Sequence, residues 1–191
     1  MSTASNTLPP RATGHVFIAA SVDGYIARTG GEIDWLTKFQ AGNEDTGYDA
    51  FMRSIDGLVM GRGTFETALS FGAWPYEKPV VVLSKSLSQR DLRADLDGKV
   101  RILSVSPRPL VHALAAEGWK RAYVDGGKVI QSFLREGLIS DIVLTRVPVL
   151  LGQGISLFGG MEGDVALRHT ETLTFGSGLV QSRYEVVRDL T

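Results

Sequence analysis

Short apolar runs separated by turn residues recur along this chain, and most of them alternate with segments of helical spacing. His15 to Ala20 (HVFIAA) is rich in β-formers and predicts a buried first strand. Ser21 to Trp35 carries two turn signals, Asp23-Gly24 and Gly30-Gly31, and reads as a long loop. Tyr48, Phe51, Met52 and Ile55 recur at helical spacing, which predicts a helix over about 45–55. Leu58-Val59-Met60 follows as a strand, and Thr64 to Leu69 as a helix. Pro79 to Leu83 (PVVVL) is the clearest buried strand, and Val100 to Leu103 another. A helix over Leu110 to Glu117 has Ser106 and Pro107 at its start and Gly118 at its end. Trp119 to Val124 then reads as a strand, Val129 to Arg135 as a helix, and Ile139 to Leu151 as a strand interrupted by Pro148. Arg168 to Thr174 and Leu179 to Val187 alternate around Gly176-Ser-Gly178, the pattern of an antiparallel hairpin. The predicted architecture is one α/β domain. It has a mostly parallel central sheet closed by a C-terminal antiparallel hairpin, with helices on both faces.

A length of 191 residues suits a single domain. Met1 to Thr13 is polar, with Pro9-Pro10, and is expected to form a flexible tail ahead of a domain spanning 14–191. With 43% hydrophobic and 21% charged residues the chain as a whole has a globular rather than a disordered composition. A net charge of -1 gives no reason to expect a nucleic-acid partner. Cysteine is absent, which removes disulfides, thiol catalysis and thiolate metal sites. His15, His112 and His169 lie far apart in sequence, so no metal site is expected. No apolar run reaches membrane-spanning length, and a cytoplasmic, membrane-free protein is the expectation.

Two segments change this picture. Val59-Met-Gly61-Arg62-Gly63-Thr64 and Val124-Asp-Gly126-Gly127-Lys128 each stand where a strand gives way to a helix. Such a junction presents backbone N–H groups and the positive end of a helix dipole, a natural phosphate site. Two of them, each with a cation, point to a ligand with more than one phosphate, a dinucleotide. Neither fits a nucleotide fingerprint. Val129 follows Lys128 where a P-loop needs Ser or Thr, and Glu66 stands where the last glycine of G-x-G-x-x-G belongs. Ser84-Lys85-Ser86, after the PVVVL strand, adds two hydroxyls and an ammonium. Singly, a tight turn or a solvated cation explains each segment as well. Jointly they would meet beyond the carboxyl ends of the strands, where open α/β sheets bind ligands. Asp23, Asp45 and Asp49 are candidate acids, although Asp23 also suits an Asp-Gly turn and acids favour helix N-termini. Trp35 and Trp74 are candidates to floor a flat heteroaromatic ring, or simply half-buried core.

Taken in order, the segments resemble the dihydrofolate reductase-like family. The branch is that of the C-terminal reductase domain of bifunctional riboflavin-biosynthesis deaminase-reductases, here in stand-alone form. The resemblance rests on Ser21-Val-Asp-Gly-Tyr-Ile-Ala27, Asp56-Gly-Leu-Val-Met-Gly-Arg62-Gly-Thr-Phe-Glu66 and Val80-Val-Val-Leu-Ser84. It continues through Val124-Asp-Gly-Gly127 and Pro148-Val-Leu-Leu-Gly152-Gln-Gly154-Ile-Ser-Leu-Phe158, and so covers roughly 15–187. It implies an NADPH-dependent oxidoreductase, a homodimer by family habit, acting on a small nitrogen heterocycle. Gly61, Arg62, Gly63 and Thr64 match the turn for the adenosine side of NADPH, Ser84 and Lys85 the 2′-phosphate contacts, and Gly126 and Gly127 the pyrophosphate glycines, with Lys128 beyond. Ala20 and Ile26 match the nicotinamide end, and 22–35 the mobile active-site loop. Phe51 matches the phenylalanine of the helix pattern Asp-x-x-x-Phe, a substrate contact, but Gly47 stands where that pattern has its acid, leaving Asp45 and Asp49 as neighbours. The 74–83 segment lacks the arginine with which riboflavin-pathway reductases hold a ribose phosphate. The implied activity is reduction of a riboflavin precursor. Dihydrofolate or another pterin is the alternative substrate, and a non-catalytic NADPH-binding module the alternative role.

Overall fold

The computed structural model describes residues 11–40, 44–161 and 163–187. In chain order the elements are β1 (Thr13–Ser21), β2 (Tyr25–Ala27), α1 (Asp34–Gln40), α2 (Tyr48–Ser54), β3 (Gly57–Gly61) and α3 (Arg62–Ser70). They continue with β4 (Val80–Leu83), β5 (Val100–Leu103), α4 (Pro107–Ala116), β6 (Arg121–Asp125) and α5 (Gly127–Arg135). The chain closes with β7 (Ile139–Val147), β8 (Ile155–Ser156), β9 (Leu167–Thr174) and β10 (Val180–Val186).

Eight strands form one sheet in the order β5-β4-β3-β6-β1-β7-β10-β9. The first six are mutually parallel, and β10 and β9 complete the sheet antiparallel. The expected mixed sheet with its closing hairpin is therefore present. Successive side chains of a strand point to opposite faces, so a strand covered on both sides reads as an unbroken apolar run. β3 shows this directly. Val59 joins a core with Leu110, Ile130 and Phe133 of α4 and α5, whereas Leu58 and Met60 join one with Phe51 of α2 and Phe65 of α3. A third, smaller cluster forms where Trp35 of α1 packs on Val147 and Leu179.

In α5, Val129, Ile130, Phe133 and Leu134 supply one apolar stripe, and Phe133 is fully buried. Phe133→Ala is expected to cost about 3–5 kcal/mol. Urea unfolding measures it, and a loss below about 1 kcal/mol would show that the α5 face collapses to fill the gap.

Several boundaries differ from those the pattern predicts. α3 and α5 begin at Arg62 and Gly127, two residues earlier than expected, because each strand runs straight into its N-cap, Gly61 or Gly126. α2 begins at Tyr48, not 45, since Gly47 takes φ 79 and breaks the helix there. β7 stops at Val147, ahead of Pro148. The stretch expected as one long loop contains β2 and the start of α1, and β2 pairs with β8. Of the expected tail, residues 1–10 lie outside the described residues. Thr13 already belongs to β1, and Ala12 is buried, its N–H donated to the Val111 carbonyl.

Candidate functional site

Because β4, β3, β6 and β1 are neighbours running the same way, their carboxyl ends lie side by side on one edge. Met60 pairs with Asp125 and Gly61 with Leu83, so the three chemistry-bearing segments leave the sheet at one level. The two junctions touch. Gly126 has φ 90, and a Cβ built on it would overlap Thr64 Oγ1 in the first turn of α3. The N-termini of α3 and α5, with no side-chain cap on either, converge at this point. One donor is already in use, for Gly126 N–H donates to Asp125 Oδ1 at 2.8 Å.

Arg62 is tied to the turn that follows β4. Its Nη1 donates to Ser86 Oγ at 3.0 Å and its Nε to Glu66 Oε1 at 2.6 Å. Ser84 Oγ instead accepts the Leu87 and Ser86 N–H groups, at 3.0 and 3.2 Å, and so fixes the turn that presents Ser86. Lys85, Lys128 and Gly63 are exposed at the rim. On the other side Gly127 runs under the strand pair β2–β8. A Cβ there would meet the Ser156 carbonyl at 2.6 Å and the Ile26 side chain at 3.3 Å. Gln131 Nε2 donates to the carbonyls of Ser156 and Leu157, bracing the same pair on α5. Ile26 thus sits at the β6–α5 junction, and Ala20 is buried one strand over.

The expected acids are placed differently. Asp23 is a clasp between turns: it accepts from the Ser21 hydroxyl at 2.6 Å and from Gly152 N–H and Leu151 N–H at 2.7 and 3.2 Å. The Ser21 bond above all holds its carboxyl below the ordinary range. Asp45 accepts the Gly47 N–H at 2.8 Å in an exposed turn, and Asp49 is exposed in the first turn of α2. None of the three is a buried acid. Asp125, the last residue of β6, is half-buried, with its carboxyl withdrawn from solvent. Burial pushes it up to about 6, against the opposing pull of the Gly126 N–H and the Tyr123 hydroxyl.

Tyrosines surround this carboxyl. Burial first, then the Asp125 charge, pushes Tyr48 up to about 12 and raises Tyr76 as well. Tyr123 donates to the Phe17 carbonyl at 2.8 Å. Ring contacts run from Tyr48 to Phe17 (5.5 Å), Phe17 to Phe51 (5.1 Å) and Phe51 to Tyr123 (5.0 Å). A second series links Phe65, Trp74 and Tyr76 at 5.7 and 5.3 Å. Phe51 and Trp74 therefore belong to the aromatic packing beside Asp125, and the buried Trp74 Nε1 has no partner among the described residues. Trp35 does not join them. At 2% exposed, it offers no ring face to a ligand.

Asp125, Tyr48 and Tyr76 escape a reading of the chain that weighs cations and glycines. The available signal was an acid in the last position of a central strand, directly before a glycine pair. Among the described residues no group of three or more His, Asp or Glu side chains is placed to hold a metal ion, and no helix is long and apolar enough to cross a membrane.

Comparison with known proteins identifies the family and supports the fold. Residues 12–181 match the model of the RibD C-terminal domain. The uncharacterised protein YwjB of Bacillus subtilis (strain 168) is 32% identical over 172 residues, covering 88% of this chain and 95% of that protein. The putative riboflavin biosynthesis protein from Shewanella sp. PV-4 superposes with a TM-score of 0.86 at 40% identity, over 92% of this chain and 99% of the other. A dihydrofolate reductase from Enterococcus faecalis, complexed with NADP(H), shares the fold, with a TM-score of 0.62 at 17% identity over 93% and 97% of the two chains.

Proposed function

The chain belongs to the RibD C-terminal domain family, and on that premise we propose that it is an NADPH-dependent reductase of a small nitrogen heterocycle. The substrate class is the riboflavin precursor type, a phosphoribosylamino-pyrimidinone whose ribose is reduced to ribitol. The observation that carries this reading is the contact between the two strand-to-helix junctions, with Arg62 bonded to Ser86 in the turn after β4.

Two adjacent helix N-termini with a glycine at each approach suit a pyrophosphate, because no Cβ stands between the backbone and the ligand. Gly61, Gly63, Thr64, Gly126, Gly127 and Lys128 would hold that group. Arg62, Ser84, Lys85 and Ser86 would hold the 2′-phosphate, and Ala20 and Ile26 would border the nicotinamide. When bound, NADPH supplies a hydride. The chain's own part is to orient the reactants, exclude water and deliver a proton to the atom left basic by hydride addition. Asp125 is assigned that last role in place of Asp23, Asp45 and Asp49. Gly47, at the N-cap of α2, leaves that position without a side chain, which weighs against dihydrofolate as substrate.

NADPH consumption against both substrate classes is the direct test, and consumption with a pterin alone would overturn the riboflavin-type assignment. Silence with every member would support a binding module without catalysis. In parallel, NADPH is expected to raise the Tm more than NADH at matched concentration. Arg62→Ala should weaken NADPH binding about tenfold, as the loss of a charge-assisted pair requires. An unchanged Kd in a fluorescence titration would remove Arg62 from the site.

A further inference from the structure

Arg62 occupies an unfavourable place on its own helix. It is the first residue of α3, where the dipole's positive end disfavours a cation, and the first turn of α3 contains no acid to offset it. Its ion-pair partner, Glu66, lies four residues toward the C-terminus, the weaker of the two orders for such a pair. Helix stability alone does not account for this arrangement. A local choice that opposes local propensity marks a place held for another purpose.

The hydrogen bonds show what that purpose requires. Glu66 takes the Nε edge of the guanidinium at 2.6 Å. Ser86, from the turn after β4, takes one Nη1 hydrogen at 3.0 Å, and that turn is itself fixed by Ser84 Oγ. Two acceptors on two different elements define the plane of the fork. Among the described residues Nη2 has no partner, so the terminal edge of the guanidinium stays available. A planar fork held in this way loses less side-chain freedom on gripping a phosphate than an unrestrained one.

We propose that Glu66 is the positioning residue that sets the preference for a 2′-phosphorylated over an unphosphorylated nicotinamide dinucleotide. The proposal rests on the reading of the α3 start as the adenosine-phosphate end of the cleft. Glu66 does not touch the phosphate. It holds Arg62 by the edge that the phosphate does not need, and it balances the guanidinium charge while no phosphate is bound. Its influence therefore falls on NADPH and bypasses NADH, which lacks the 2′-phosphate.

Fluorescence titration of the purified chain with NADPH and with NADH tests this in three forms: parent, Glu66→Ala and Glu66→Gln. Circular dichroism and Tm first establish that both variants fold. Glu66→Ala is expected to weaken NADPH about fivefold, the loss of one hydrogen bond, and to leave NADH within about twofold. Glu66→Gln keeps an oxygen acceptor for Nε and should retain NADPH binding at least as tight as the parent's. An unchanged NADPH Kd in Glu66→Ala would overturn the proposal. So would parallel weakening of NADPH and NADH, which marks a structural effect, or a Gln variant as weak as the Ala variant. A parent chain that binds neither dinucleotide would instead overturn the cofactor reading beneath it, and the parent titration reports that separately.

Discussion

Asp125→Asn is expected to lower kcat by about 10²- to 10⁴-fold, the usual contribution of a positioned proton donor, while NADPH binding stays within about twofold. Asparagine is nearly isosteric, and its side-chain oxygen can still accept the Gly126 N–H that Asp125 accepts now. What it cannot do is give up a proton at neutral pH. Burial raises the carboxyl to about 6, so an appreciable fraction remains protonated in the range where a reductase of this kind works. An acid must be protonated to act. The parent's rate should therefore fall as pH rises through about 6, and that limb should vanish in Asp125→Asn.

Stability provides a second readout with a fixed sign. The folded-state value is raised above the unfolded one, so the native state binds the proton more tightly. Asp125 thus costs the parent stability as pH rises from the ordinary value of 3.8 through about 6. Asparagine removes that cost, and the variant should gain on the parent at pH 8 relative to pH 4. A variant with full turnover would take the proton-donor role away from Asp125. A variant that loses turnover and NADPH binding together would show that its part is to shape the β6–α5 junction.

Much of this architecture was legible because parallel strands buried on both faces write themselves as unbroken apolar runs. Val80-Val-Val-Leu83 is the plainest example, and its flanking turns are equally plain. The short pair β2–β8 was not legible, since strands of three and two residues are too short to show a period of two. Gly61, Arg62, Gly126 and Gly127 could be singled out because glycine and arginine at a strand end have a recognisable chemistry. Their mutual contact could not, because it depends on β3 and β6 being neighbours although four elements separate them in the chain. Asp125 was hidden for a related reason. An acid's burial, and hence its affinity for a proton, is set by the fold around it, and Tyr48 and Tyr76, which feel the Asp125 charge, come from segments far from it in the chain. The exposed acids looked the better candidates only because exposure is invisible in a sequence.

Gly126→Ala is expected to be the most damaging single-atom-scale change in the cofactor half of the cleft. Gly126 holds φ 90 with ψ 135, a region that residues with a Cβ avoid, at a cost of order 1–3 kcal/mol. The added methyl would also overlap Thr64 Oγ1, so α3 and α5 must separate or the backbone must turn. Either response spoils the one feature on which the proposed dinucleotide binding rests, the shared apex of two helix N-termini. NADPH affinity should fall by tenfold or about a hundredfold, since two or more N–H contacts are lost together. Tm should fall as well, because the strain is present without ligand. Thr64→Ser in the same background separates the two effects. It leaves the hydroxyl in place, removes only a methyl and cannot relieve the clash. Gly126→Ala with Thr64→Ala removes the overlapping oxygen and should recover part of the lost Tm and NADPH affinity, while the backbone strain persists. If Gly126→Ala binds NADPH as the parent does, the two junctions do not form one phosphate site, and contact between them is only the packing of two helices.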